Sequence, residues 1–106
     1  AIRDGADGHA IHQQILDLFT QKGFPTGKIG GRMQGFFHGT GHGLGLDIHE
    51  PPRIGAVQSL LKTGHVVTVE PGLYYLGVGG VRLEDVVVVT ARGNRNLTTY
   101  PLFLEV

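Results

Sequence analysis

The stretch VVTVEPGLYYLGVGGVRLEDVVVVT, residues 66–90, decides the architecture of the chain. It contains three runs rich in β-branched and aromatic residues, 66–70, 73–76 and 81–90, which are separated by turns containing Gly. Strands that are joined by such short turns pair antiparallel. The last run predicts the strongest strand of the chain, and its consecutive valines indicate a central position with both faces buried.

A helix precedes these strands. Asp7 is a suitable N-cap and Gly23 a suitable stop, and between them an apolar stripe recurs with helical period: Ile11, Ile15, Leu18 and Phe19. A last short strand is expected over residues 100–106. The predicted fold class is therefore α+β, a curved antiparallel sheet with the N-terminal helix packed on one face, in a single domain spanning residues 1–106.

Composition excludes several classes of protein. Nine basic and nine acidic residues give a formal net charge of zero, so nothing points to nucleic acid. No apolar run approaches the roughly 20 residues that a membrane span requires. The chain has no cysteine, which excludes disulfides and thiolate metal sites and fits a cytoplasmic location. Because the sequence starts at Ala1 rather than Met, we expect it to be an excerpt of a longer protein.

Three histidines lie among glycines in HGTGHGLGLDIHE, residues 38–50. Glycine lets a backbone approach a ligand closely, and neutral imidazole is the commonest metal ligand and acid–base group near neutral pH. A phosphate-binding G-x-G-x-x-G motif fails here, because Leu44 or Ile48 occupies its last position, and no H-E-x-x-H motif exists. The stretch therefore predicts a metal or acid–base site.

Two glutamates accompany these histidines. Glu70 closes an apolar run, so it is either an exposed strand tip or a buried carboxylate that needs a cation. Glu84 shares one face of its predicted strand with Arg82. That pair is either an ion pair at a strand end or a metal-binding Glu84 that Arg82 supports.

Three motifs in this order, residues 38–50, 68–74 and 81–85, resemble the metallopeptidase family that contains methionine aminopeptidase, Xaa-Pro aminopeptidase and prolidase. The resemblance implies the C-terminal half of a pita-bread fold. It also implies two divalent metal ions in the parent enzyme, with Mn²⁺ favoured over Co²⁺, Zn²⁺ or Fe²⁺, and no other cofactor. Such ions bind hard ligands and generate a hydroxide for attack on a carbonyl.

The resemblance implies two groups of site residues. The metal ligands are His42, Glu70 and Glu84, of which Glu84 bridges both ions. The catalytic residues are His38, His49 and Arg82: the two histidines contact the substrate and its developing charge, and the arginine supports Glu84.

The spacing His38-x-x-x-His42 and the motif Arg82-x-Glu84-Asp85 are similar to the proline-directed branch of the family. This implies hydrolysis of peptides that carry proline at the second position. The two Asp ligands found upstream in the family have no counterpart here, so we expect the isolated chain to be largely inactive. We also expect a homo-oligomer formed through the exposed sheet or the missing half-domain. The alternative is a non-catalytic peptide- or protein-binding module on the same fold, which retention of all five His and Glu residues disfavours.

Overall fold

The computed structural model describes residues 1–101, which contain one helix and nine strands. The helix α1 spans Gly8–Gln21. The strands are β1 Gly27–Ile29, β2 Arg32–Gln34, β3 Gly41–Gly43, β4 Glu50–Ile54, β5 Val66–Val69, β6 Gly72–Tyr75, β7 Gly79–Arg82, β8 Asp85–Val89 and β9 Asn94–Asn96. Within the described part, no helix is long and apolar enough to cross a membrane.

Helix α1 begins and ends where the sequence predicts. The Asp7 carboxylate accepts a hydrogen bond from the backbone N–H of His9 at 3.1 Å, and Gly23 ends the helix with a φ of 90°, a left-handed value that glycine adopts without strain. The N-terminal half packs against β4, so Ile11 is buried. Leu18, in the other half, is exposed, and the second buried side chain of this face is His12.

The main sheet has five antiparallel strands in the order β4-β3-β5-β8-β9. Strand β8 is therefore an interior strand between β5 and β9, and Val67 of β5 lies opposite Val87 of β8. Only Val87 and Val89 are fully buried, so the predicted burial of both faces of this strand holds for one face. The core combines one helix residue with sheet and loop residues: Ile11, Ile54, Leu61, Val67, Val87 and Val89. The predicted α+β class and the packing of the helix on the sheet are confirmed.

The prediction of one strand over residues 81–90 is wrong. The run divides into β7, which pairs with β6 in a separate two-stranded sheet, and β8, which pairs with β5. The β5–β8 ladder ends at Val69 opposite Asp85, and the β6–β7 ladder begins at Gly72 opposite Arg82. Pro71 lies in the gap on one side and has no N–H to donate, so the ladder is interrupted there. Glu84 lies in the gap on the other side.

Two hairpins stand beside the main sheet. β1 pairs with β2 and β6 with β7, and a bridge between Gly35 and Tyr74 connects them. Of the last strand expected over residues 100–106, Tyr100 and Pro101 lie outside any strand, and residues 102–106 lie outside the described residues.

Candidate functional site

A cavity of about 440 Å³ opens where β3, the end of β5 and the end of β7 meet. Its lining includes five of the six predicted site residues, namely His38, His42, His49, Glu70 and Arg82, together with Gly39, Gly41 and Arg53. The sixth, Glu84, contacts Glu70 from the gap between β7 and β8. Residues that are up to 46 positions apart in sequence therefore meet at one place.

His42 is held in one orientation by its backbone and its ring. Its N–H donates to the Thr68 hydroxyl at 3.1 Å, and its Nδ1 lies 2.8 Å from the Gly43 carbonyl oxygen. A carbonyl only accepts, so Nδ1 carries a proton, and in the neutral ring Nε2 has the lone pair. Nε2 lies 4.0 Å from Oε1 of Glu70. The imidazole thus presents a free ligand nitrogen to the carboxylate.

Two glycines allow β3 to lie this close to its neighbours. A Cβ on Gly41 would lie 1.7 Å from the Thr68 carbonyl oxygen, and a Cβ on Gly43 would lie 2.3 Å from the Pro51 carbonyl oxygen. Neither position tolerates a side chain without movement of backbone. The glycines on both sides of His42 are therefore required for its placement between β4 and β5.

Thr40 connects the histidine-rich segment to Glu70. Its side chain is fully buried. Its N–H donates to the Ile54 carbonyl at 2.7 Å, and its carbonyl accepts the N–H of Glu70 at 2.6 Å. The backbone of Glu70 is therefore fixed at the end of β5, with the largely buried carboxylate directed at His42.

Glu70 and Glu84 are in direct contact. A hydrogen bond with Glu70, followed by desolvation and the Glu70 charge, raises the pKa of Glu84, although His42 and Arg82 oppose the rise. Two carboxylates that interact in this way favour a shared proton or a bound cation between them. The pair therefore has the character of a cation-binding site.

The donor chemistry fits a divalent cation, since one imidazole nitrogen and two carboxylates are the ligand types that Mn²⁺, Co²⁺, Zn²⁺ and Fe²⁺ accept. Their arrangement is pairwise: His42 faces Glu70, and Glu70 faces Glu84. Among residues 1–101, no three His, Asp or Glu side chains are grouped closely enough to hold an ion by themselves. The chain thus presents two pairs of metal-type donor side chains, which share Glu70.

Arg82 is attached to Tyr74, a contact that the sequence does not indicate. Arg82 Nε donates to the Tyr74 hydroxyl at 2.8 Å, and its guanidinium carbon lies 5.8 Å from the centre of the Tyr74 ring. This hydrogen bond raises the pKa of Arg82, which therefore stays charged. The only sequence signal for Tyr74 is its position within the conspicuous motif of residues 68–74.

His38 lies in an aromatic setting. Its ring is 4.9 Å from Phe36 and 5.6 Å from Tyr74, both in edge contacts. Nδ1 lies 2.7 Å from the Gly39 carbonyl oxygen, while the buried Nε2 has no hydrogen-bond partner among the described residues. His49 is exposed, with its ring 4.6 Å from that of His42.

Arg53 lines the cavity although no pattern in the sequence indicates it. It lies in β4, where it pairs with His42 across the ladder. With Arg82 it gives the cavity two guanidinium groups, which are well suited to carboxylates and to other anionic groups of a ligand.

Comparison with known proteins identifies a peptidase family for this chain. The sequence profile of Metallopeptidase family M24 matches residues 1–91. The uncharacterized peptidase YqhT of Bacillus subtilis is 52% identical over 67 residues, which is 62% of this chain and 19% of that protein. The Xaa-Pro dipeptidase of Pyrococcus furiosus is 52% identical over 64 residues, 59% of this chain and 18% of that protein.

Comparison with solved structures also identifies peptidases. An Xaa-Pro dipeptidase from Bacillus anthracis superposes with a TM-score of 0.82 at 41% identity, covering 98% of this chain and 27% of that one. The prolidase from Pyrococcus furiosus gives 0.80 at 36% identity, covering 96% and 28%. The chain thus spans about a fifth of the curated relatives' length and about a quarter of the solved chains. These likenesses confirm the predicted pita-bread fold, and the chain belongs to metallopeptidase family M24.

Proposed function

We propose that this chain carries part of the metal site and part of the substrate site of a peptidase that hydrolyses peptide bonds next to proline. The observation that carries the proposal is that His42 and Glu70 line one cavity, and that Glu84, from a third segment, interacts with Glu70. Family membership supports metal-dependent peptide hydrolysis, and relatives named Xaa-Pro dipeptidase and prolidase support the proline preference.

In this proposal His42 Nε2, Glu70 and Glu84 would hold the metal, and Glu84, which interacts with Glu70 from the strand break, would serve both ions. Divalent ions held there would supply a hydroxide near neutral pH and polarise the peptide carbonyl. Mn²⁺ is our first choice, with Co²⁺, Zn²⁺ or Fe²⁺ as alternatives, because all accept nitrogen and carboxylate ligands.

The remaining site residues act on the substrate or on the two carboxylates. His38 and His49 line the cavity, where their imidazoles would contact the substrate and the charge that develops on its carbonyl oxygen. The Nδ1 of His38 already donates to the Gly39 carbonyl, so His38 would donate to the substrate through Nε2 of the protonated ring. Arg82, anchored by Tyr74, lies near both carboxylates and stabilises their charge. The proline preference suits a site that makes no use of an amide N–H, since the Xaa-Pro bond has none.

Three further properties follow from the family resemblance. The substrate is a peptide with proline at its second position, the protein is a homo-oligomer that associates through exposed apolar surface, and it works in the cytoplasm. Exposed apolar side chains on the β6–β7 hairpin, such as Leu76 and Val78, supply surface for association. A non-catalytic binding module has no use for adjoining metal-type donor pairs, so we do not favour it.

The proposal is tested by calorimetric titration of the chain with Mn²⁺. We expect saturable binding in the parent and in His65→Ala, a control that removes a histidine outside the cavity lining, and loss of binding in His42→Ala. Equal binding by all three proteins would contradict the ligand assignment. In the chain loaded with diamagnetic Zn²⁺, an Ala-Pro dipeptide should shift more cavity NMR signals than Ala-Ala; the reverse order would contradict the proline preference.

A further inference from the structure

His12 is a buried histidine that the proposed reaction does not use. It lies on α1, only 8% exposed, on the helix face that meets the sheet. Its Nδ1 is 2.8 Å from the Thr40 hydroxyl oxygen, a side-chain contact across 28 positions of sequence. Burial and the neighbouring imidazoles His9 and His38 lower the pKa of His12, which favours the neutral ring. Because His12 is buried and has one hydrogen-bond partner, its contact with Thr40 links the helix specifically to the histidine-rich segment.

Thr40 is the point at which three elements meet. Its N–H is bonded to Ile54 of β4, its carbonyl to Glu70 at the end of β5, and its hydroxyl to His12 of α1. Thr40 is completely buried, so a hydroxyl that loses His12 has no water as a replacement. The position of Glu70 therefore depends on the helix through Thr40.

A second route leads from His12 to the cavity. The His12 ring makes an edge contact with Phe36 at 5.2 Å, and Phe36 makes an edge contact with His38 at 4.9 Å. Phe36 is 1% exposed, so it is confined between the two imidazoles. Such aromatic contacts restrict ring orientation beyond what burial alone achieves.

We infer that His12 is a positioning residue of the candidate site, which fixes the Glu70 backbone through Thr40 and the His38 ring through Phe36. The structural part of this inference stands on the contacts alone. Its consequence for metal binding and hydrolysis rests on the proposed function.

Three variants separate positioning from general stability. His12→Phe keeps an aromatic ring but removes the hydrogen bond to Thr40, and His12→Gln replaces the ring by an amide that can still bond the hydroxyl. Ile11→Ala removes apolar contacts from the adjacent buried position of the same helix and keeps both partners of the His12–Thr40 hydrogen bond. It is the control for loss of global stability.

Amide hydrogen exchange measures the Glu70 N–H directly. In His12→Phe we expect protection of Glu70 to fall about tenfold more than protection of Val67, in line with the loss of one buried hydrogen bond. In Ile11→Ala both amides should lose protection together, and His12→Gln should restore Glu70. Equal losses at Glu70 and Val67 in His12→Phe, or no loss at either, would overturn the inference.

Mn²⁺ titration of the same variants tests the functional consequence. We expect weaker binding by His12→Phe than by Ile11→Ala, with recovery in His12→Gln. If none of the proteins, parent included, binds Mn²⁺ while Glu70 still loses protection selectively, the proposed metal site is wrong and the positioning role stands. If Mn²⁺ binds all variants alike and Glu70 protection does not change, the positioning role is wrong and the metal site stands.

Discussion

Replacing Gly41 by alanine measures how strictly the site depends on close contact between β3 and β5. The new Cβ would lie 1.7 Å from the Thr68 carbonyl oxygen, whereas relaxed C···O contacts begin at about 3.3 Å. The strands must therefore separate by about 1.6 Å, the difference between these two distances. That movement breaks the hydrogen bond from the His42 N–H to Thr68 and the one from the Glu70 N–H to Thr40.

The expected loss of stability follows from these contacts. Each broken hydrogen bond contributes about 1 kcal/mol, and overpacking adds about 1–3 kcal/mol. We therefore expect Gly41→Ala to lower the free energy of unfolding by about 3–5 kcal/mol, a large part of the roughly 5–15 kcal/mol that a domain possesses. Urea denaturation followed by circular dichroism, with linear extrapolation to water, measures the difference.

Gly39→Ala is the matched control for this prediction. It belongs to the same motif and lines the same cavity, but its Cβ would meet only the Ile54 carbonyl oxygen at an ordinary 3.5 Å. We expect a change within about 0.5 kcal/mol. A Gly41→Ala protein as stable as the parent, or equal losses in both variants, would refute the steric reasoning.

Three further predictions concern single side chains. Gly80→Ala places a Cβ 2.4 Å from Cδ1 of Tyr74, so we expect Tyr74 to move away from Arg82 and the Arg82 Nε–H signal in NMR spectra to exchange faster. Gly93→Ala, in open space, should leave that signal unchanged. The pKa of His12 is lowered from 6.5, chiefly by burial, so the unfolded chain gains a proton first as the pH falls. The free energy of unfolding should therefore decrease below about pH 6.5, and urea titrations across pH should show a shallower decrease in His12→Gln. The pKa of Glu84 is raised from 4.5, chiefly by its hydrogen bond with Glu70, so in EDTA the fold binds this proton more tightly than the unfolded chain does. Stability from this group is complete below about pH 4.5 and declines as the pH rises; thermal melts should show that Glu84→Gln removes this decline, and an unchanged decline would contradict the contact.

Elements with local signals could be predicted from sequence. The N-cap Asp7, the stop Gly23 and the β-branched run of β5 each carry their own chemistry, and the structure has them in place. Strands β3 and β9 could not be predicted, because each is only three residues long and glycine or polar residues dominate them. Their extended conformation depends on partners that are distant in sequence.

The residues of the candidate site also include some with a local sequence signal and some without one. The histidine and glutamate motifs predict most of the cavity residues. Histidines among glycines, and glutamates beside runs of valine, can be recognised from the sequence alone. His12 and Tyr74 could not be predicted, because a histidine on a helix and a tyrosine in a hairpin are ordinary until Thr40 and Arg82 are known to face them. The separation of Arg82 from Glu84 by a strand break likewise depends on a ladder gap opposite Pro71, which no local pattern reveals.

The two outer strands of the main sheet bear on how the protein avoids aggregation. β4 includes Pro51 and Pro52, which have no N–H to offer an incoming strand, and β9 is a three-residue strand with the sequence Asn94-Arg95-Asn96, short and positively charged. Both are devices that oppose edge-to-edge addition of further chains. Within the described residues, neither outer strand of the main sheet is a good template for amyloid-like growth, so self-association through these two edges is opposed.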